Sequence, residues 1–271
     1  MRRYLVCLII LLCFQMVSQA SDLVSALAGD DAVARFMAEE KLVEMGDAAV
    51  SLLEPLATSS GFTPERQYAI NILARISSEQ AIDLLLRILE REPDVKLRAL
   101  ICRHLGRLGV EEAVPIIGRW LFTIQGREFN PEGQPHSANK WYAWIEHVHA
   151  LREIGSKRGI PILEKMLKAK HGGRVGNQFT VAYQQNLDEL RQEAAFWDAV
   201  RRVPGLEDEA KLLFHFFRRD TLALIRLYRD KVIHLGIEGR WVLEGMTNHP
   251  DEKLRKAASA LLNNFDILQN I

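Results

Sequence analysis

Apolar residues return along this chain in steps of three and four. Ile82, Leu85, Leu86 and Leu89 stand at i, i+3, i+4 and i+7, the stripe of a helix buried on one side and wet on the other. The wave repeats in register. "LVEMGDAAVSLLEPL" from Leu42, "LARISSEQAIDLLLRIL" from Leu73, "LGRLGVEEAVPIIGRWL" from Leu105 and "LREIGSKRGIPILEKML" from Leu151 align without gaps in their first halves. Each has an apolar residue (Met45, Ile76, Leu108, Ile154), a small one (Gly46, Ser77, Gly109, Gly155) and, three or four positions on, Ala49, Ala81, Ala113 or Gly159. The small residues are spaced by 31, 32 and 46 positions. A period near 31 suits two helices of about 12 residues joined by turns, and 46 is that period plus an insertion.

The small residue permits a left-handed bend between the helices of a hairpin, and the Ala or Gly beyond it lets them approach. One hairpin cannot bury both of its apolar faces, so neighbours must stack. A second echo spans the chain: "PDVKLR" from Pro93 and "PDEKLR" from Pro250. In both, Pro ends the preceding element, Asp94 or Asp251 caps a new helix, and Arg98 or Arg255 stands four residues on, placed for an Asp–Arg pair worth about 0.2–0.5 kcal/mol. Between Asn186 and Asn248 helical patterning persists but the repeat blurs, with breaks at Pro204-Gly205 and Gly236.

On these residues the sequence resembles the HEAT-repeat family, and within it the short HEAT-like repeats of phycobilin lyases. The resemblance is clear over 31–169, loose over 186–248, and returns in a terminal repeat helix at 250–265. It implies an all-α fold, a right-handed α-α superhelix of the armadillo-like solenoid kind, forming one domain over 21–271. It also implies the usual work of such folds, binding another protein or peptide.

The first twenty residues stand outside this pattern. Arg2 and Arg3 precede an apolar run from Tyr4 to Val17, and Ser18-Gln19-Ala20 offers a small-x-small cleavage site, the make-up of a secretory signal peptide. The run is short for a bilayer span, so contact with a membrane is expected only through an uncleaved leader. The expected destination is the periplasm or the medium. The whole chain balances 35 basic against 35 acidic residues; without 1–20 it has 33 against 35, which gives nucleic acid no general attraction. Cys7 and Cys13 leave with the leader, so Cys102 alone remains and the mature chain has no internal disulfide.

Two insertions interrupt the rhythm, Thr123–Lys140 and Lys170–Asn186. Both are rich in Gly and Asn, and both read as long loops on one rim. They carry Arg127, His136, Lys140, His171, Arg174 and Asn177, with Phe129 and Phe179 for apolar contact. They form either a composite partner-binding site or a pair of rim loops without a ligand. The alignment also places Arg87, Arg119 and Lys165 in register off the apolar stripe, either as a basic column for an acidic segment or as a solvated face neutralised by Asp83, Glu90 and Glu164.

Enzymatic chemistry finds little purchase. His147 and His149 lie about 200° apart on a helix and cannot share an ion. Glu146-x-x-His149 shares a face with Tyr142 and Glu153, but a di-iron site needs a second such motif and two further carboxylates. None of the eight histidines is followed by Glu, so the iron-binding His-Glu dipeptides of deoxyhypusine hydroxylase, an enzyme built of HEAT-like repeats, are absent. Trp141, Trp144, Val148 and Leu151 read as core. The expectation is an exported scaffold, not an enzyme, that binds a protein or peptide through its concave face and the rim loops 123–140 and 170–186, without metal or cofactor. The alternative is a small lyase-like or metal-dependent enzyme using His136, His149 or His171.

Overall fold

The computed structural model describes residues 22–127, 138–168, 173–219 and 237–269. Every regular element among them is helical, and two compact units divide the chain, Met1–His104 and Leu105–Ile271.

In the first unit a short helical segment at 22–27 precedes α1 (Ala32–Glu44), α2 (Asp47–Ala57), α3 (Pro64–Ile76), α4 (Glu79–Arg91) and the start of α5 (Val95–Leu108). The helix α3 packs on α1 and α2, and α4 on α2 and α3, so successive hairpins shield each other's apolar sides. Leu42, Ala49, Leu53, Leu73, Ala81 and Leu85 are wholly buried. The bends fall where the alignment puts them: Gly46 has φ 57°, and Ser77 takes the left-handed conformation at φ 50°. The stripe of α4 is turned from its expected place. Ala81, Leu84, Leu85, Ile88 and Leu89 are buried, whereas Ile82 and Leu86 are only half-buried. The reason is that α4 is covered from two sides, by α2 and α3, and the buried sector widens toward both.

The expected Asp–Arg pairing is replaced by another contact. Asp94 Oδ1 accepts from the amides of Lys96 and Leu97, as a cap should. The Arg98 Nη1, however, donates to the carbonyls of Glu92 and Pro93 at 2.9 and 3.0 Å. Arg255 repeats this, reaching the carbonyls of His249 and Pro250 at 2.8 and 2.7 Å while Asp251 caps. Two further helices use the same bond. Arg35 Nη1 reaches the Gly29 carbonyl behind the cap Asp31, and Arg66 Nη1 reaches the Gly61 carbonyl behind the cap Thr63. In all four, an arginine three or four residues past the cap ties down the carbonyl two residues before it. The cap side chain already accepts from helix amides, so the arginine is left to supply a donor to the backbone before the helix, which at Glu92 is buried.

In the second unit the elements are α6 (Ala113–Arg127), α7 (Ala138–Ile154), a 3-10 turn (Lys157–Gly159), α8 (Ile160–Lys168), α9 (Gly173–Val200), α10 (Leu206–Arg219), α11 (Ile237–Met246), α12 (Glu252–Asn263) and α13 (Phe265–Gln269). Gly109 and Gly155 both bend at φ 69°. A Cβ on Gly106 would stand 2.9 Å from the Ala150 Cα, so here the helices touch almost backbone to backbone. Trp144, Val148 and Leu151 are core, as expected, while the side chain of Trp141 lies outside the described residues; the indole N–H of Trp144 donates to the buried Tyr183 hydroxyl at 2.7 Å. Burial pushes the Tyr183 phenol well above its ordinary value.

From Gly173 onward the second insertion is helix instead of loop. Residues 173–186 form the first half of the 28-residue α9. Tyr183, Leu187, Leu190, Ala194 and Trp197 recur every three or four residues and are all buried, so packing on α7 and α8 overrides the glycines and asparagines at the start of the helix. The first insertion shrinks too, since α6 runs to Arg127 and α7 begins at Ala138. Around α10, α11 and α12 a separate core forms from Trp197, Leu206, Leu213, Leu243, Leu254, Leu261 and Phe265. The terminal helix expected at 250–265 is α12, capped by Asp251 and packed on α10 and α11.

Candidate functional site

The helices α2 and α4, the second members of two hairpins, flank a groove of about 620 Å³ in the first unit. Its apolar floor is Leu84 and Ile88, and its far wall is the link after α4, with Glu92 and Pro93. The chain from Thr58 to Gly61 closes the near side. A buried ion pair is built into that wall. Arg66 gives Nη2 to Glu92 and Nε to the Ala57 carbonyl, while the other oxygen of Glu92 accepts from the Asp94 amide. Arg87 and Arg91 face the same groove from α4. Arg87 meets Glu54 of α2 at 3.0 Å, in a pair whose side chains are 65% and 43% exposed. Arg91 is exposed at the helix end and makes no ion pair among the described residues.

A second cleft, about 700 Å³, lies in the second unit between the bend at Gly109 and the start of α10. Ile154, Trp197 and Leu212 give it apolar surface, and Glu111, Glu112, Glu207 and Asp208 outnumber Arg201 and Lys211. Arg201 is its hub, within 3.2 Å of Glu111 and 3.4 Å of Glu207. The Lys211 ammonium, hydrogen-bonded to Glu207, holds that carboxyl below the usual range, helped by Arg201.

Of the expected site residues, Arg87 lines the first groove, and its neutralising acid is Glu54 of the preceding hairpin instead of Asp83 or Glu90. Lys165 leans from α8 onto α6, its ammonium 4.3 Å from the centre of the Phe122 ring, and Arg119 is exposed on α6. Glu164 is engaged by Arg191 of α9 at 2.9 Å. Arg127 ends α6, Lys140 lies in the first turn of α7, and Arg174 and Asn177 open α9. His136, His171 and Phe129 lie outside the described residues, as do the side chains of those four and of Phe179. The residues that sequence reasoning missed are Arg91 and Glu54. Both stand off the apolar stripe of their helices, which is the signal they gave.

His149 is half-buried, and desolvation, then the Arg152 guanidinium, lowers its pKa from the ordinary value of 6.5. Among the described residues no group of three His, Cys, Asp or Glu is placed to hold a metal ion. No described helix is long and apolar enough to cross a membrane.

Residues 50–121 match the family model of HEAT repeats. This span holds α4, the three arginines of the groove and the bends at Ser77 and Gly109. Among solved structures the chain is similar to the complex of CpcE and CpcF of phycocyanin lyase from Nostoc sp. PCC7120, at 18% identity and a TM-score of 0.46, with 92% of each chain covered. It is also similar to an engineered protein, at 16% identity and a TM-score of 0.37, covering 92% of this chain and 97% of the other. No curated protein matches it.

Proposed function

We propose that this HEAT-type scaffold is an exported protein that binds a polypeptide partner. The observation that carries the reading is the groove between α2 and α4, inside the span that matches HEAT repeats. It joins an apolar floor to charged and hydroxyl-bearing walls, the mixture that peptide-binding grooves use to combine affinity with register. The right-handed winding of the hairpins, removal of the leader after Ala20, and a part in binding for the concave face and for the segments 123–140 and 170–186 belong to the same proposal. They are read from the repeat and from the make-up of 1–20.

Site-specific photocrosslinking in the native host tests it. A benzophenone side chain at Ser60, in the groove wall, is expected to capture one discrete polypeptide, on a chain whose N-terminus sequences as Ser21. The same probe at Lys41, exposed on α1, serves as the control. Equal capture from both positions, or none from Ser60, overturns the reading.

A further inference from the structure

The polypeptide reading leaves the chemistry of the partner open, and the groove's charges narrow it. Three guanidinium groups line it, Arg66, Arg87 and Arg91, against two carboxylates, Glu54 and Glu92. The pairing among these five is unequal. Arg66 and Glu92 are locked together beneath the surface, their side chains 6% and 1% exposed, with further bonds to backbone on both sides. They belong to the wall, with their charges already satisfied, and offer nothing to a visitor. Arg87 and Glu54 form an exposed pair across the groove, the kind that water and salt hold near balance. Arg91 has neither partner nor cover among the described residues. The surplus is therefore one full positive charge beside Ile88 and Pro93, and a second that is only loosely held. At the edge of the groove, next to Gly61, the exposed Phe62 ring carries the Lys96 ammonium 5.2 Å from its centre, another cation with no acid at that contact.

We infer, resting on the polypeptide reading, that the groove takes an extended acidic segment. One carboxylate of the segment meets Arg91. A second displaces Glu54 from Arg87, and an apolar residue between them lies on Ile88 and Pro93. Glu54 then acts as an internal competitor that occupies Arg87 until a better-placed carboxylate arrives. This sets two substitutions on one groove in opposite directions. Removing the Arg91 charge must weaken an acidic ligand, while neutralising Glu54 must strengthen it, since Arg87 is freed and a repulsive carboxylate is lost.

The test is fluorescence anisotropy on residues 21–271, with three fluorescein-labelled, N-acetylated octapeptides in which Leu alternates with Glu, Gln or Lys. The Leu-Glu peptide is expected to bind best at low salt and to weaken as salt rises. Its affinity is expected to fall roughly tenfold in Arg91→Glu and to rise about threefold in Glu54→Gln. Both positions are solvent-accessible, so circular dichroism should match the parent; Arg91→Gln, with a smaller expected loss, replaces Arg91→Glu if the reversal disturbs folding. Equal binding of the Leu-Glu and Leu-Lys peptides, or Leu-Glu binding indifferent to both substitutions, overturns the inference and leaves the polypeptide reading standing. If none of the three peptides binds while Ser60 still captures a partner in the host, the acidic assignment alone is overturned. Failure of both experiments removes the two together.

Discussion

Gly46 and Gly155 occupy the same place in two hairpins, yet their surroundings make different demands. Around Gly46 a Cβ would meet nothing within 4 Å; at Gly155 it would stand 2.7 Å from the Glu193 Cγ. Both have positive φ, and Gly46, with ψ −130°, stands outside the left-handed helical region as well, so an alanine is strained by about 1–3 kcal/mol. Gly46→Ala should therefore lower the urea unfolding free energy by roughly that amount, and Gly155→Ala by more, because the buried Glu193 must also move. Equal losses would mean that Glu193 yields freely. His149 tests burial through pH. Its pKa is lowered in the fold, so the unfolded chain binds its proton first. Its contribution is complete above 6.5 and is lost as pH falls from 6.5 toward the lowered value. The urea midpoint should drop between pH 7 and 5.5 in the parent, and drop less in His149→Gln.

At the scale of elements, the arginine that reaches behind the cap of α1, α3, α5 and α12 fixes how each of these helices begins. Arg66 does most, since it also neutralises the buried Glu92. Arg66→Met should cost about 3–5 kcal/mol by chemical denaturation, because it leaves a carboxylate buried without its cation. Arg66→Met with Glu92→Leu should recover a large part of that loss. If the double variant is as unstable as the single, the backbone contacts to Ala57 and Gly61 carry the stability and the charge pair does not.

Much of this was legible in the sequence. The bends at Gly46, Ser77, Gly109 and Gly155 followed from one alignment, because a left-handed turn leaves a small residue at a fixed offset. The capping arginines were visible as letters, but their partners were not: a carbonyl belongs to every residue and marks none. The start of α9 was misjudged because Gly172, Gly173, Gly176 and Asn177 weigh against a helix locally, whereas the stripe from Tyr183 to Trp197 that sustains it begins only ten residues into the helix. The groove escaped for a related reason. Glu54 and Arg87 are 33 positions apart, and only the stacking of α4 on α2 brings them within 3.0 Å.

For the molecule as a whole, an even tally of charge hides local bias. The 35 basic and 35 acidic residues cancel in sum, while the groove of the first unit holds a surplus cation and the cleft of the second holds four acids against two bases. A screen by net charge would overlook both. The division into two units has a practical consequence as well. Trp120, Trp141, Trp144, Trp197 and Trp241 are all the tryptophans of the chain, and every one lies beyond His104. Indole emission therefore watches only the C-terminal part of the protein, while far-ultraviolet ellipticity reports helices throughout. Following the two signals along one heating ramp reveals, without a label or a truncation, whether the two halves come apart at one temperature or in sequence.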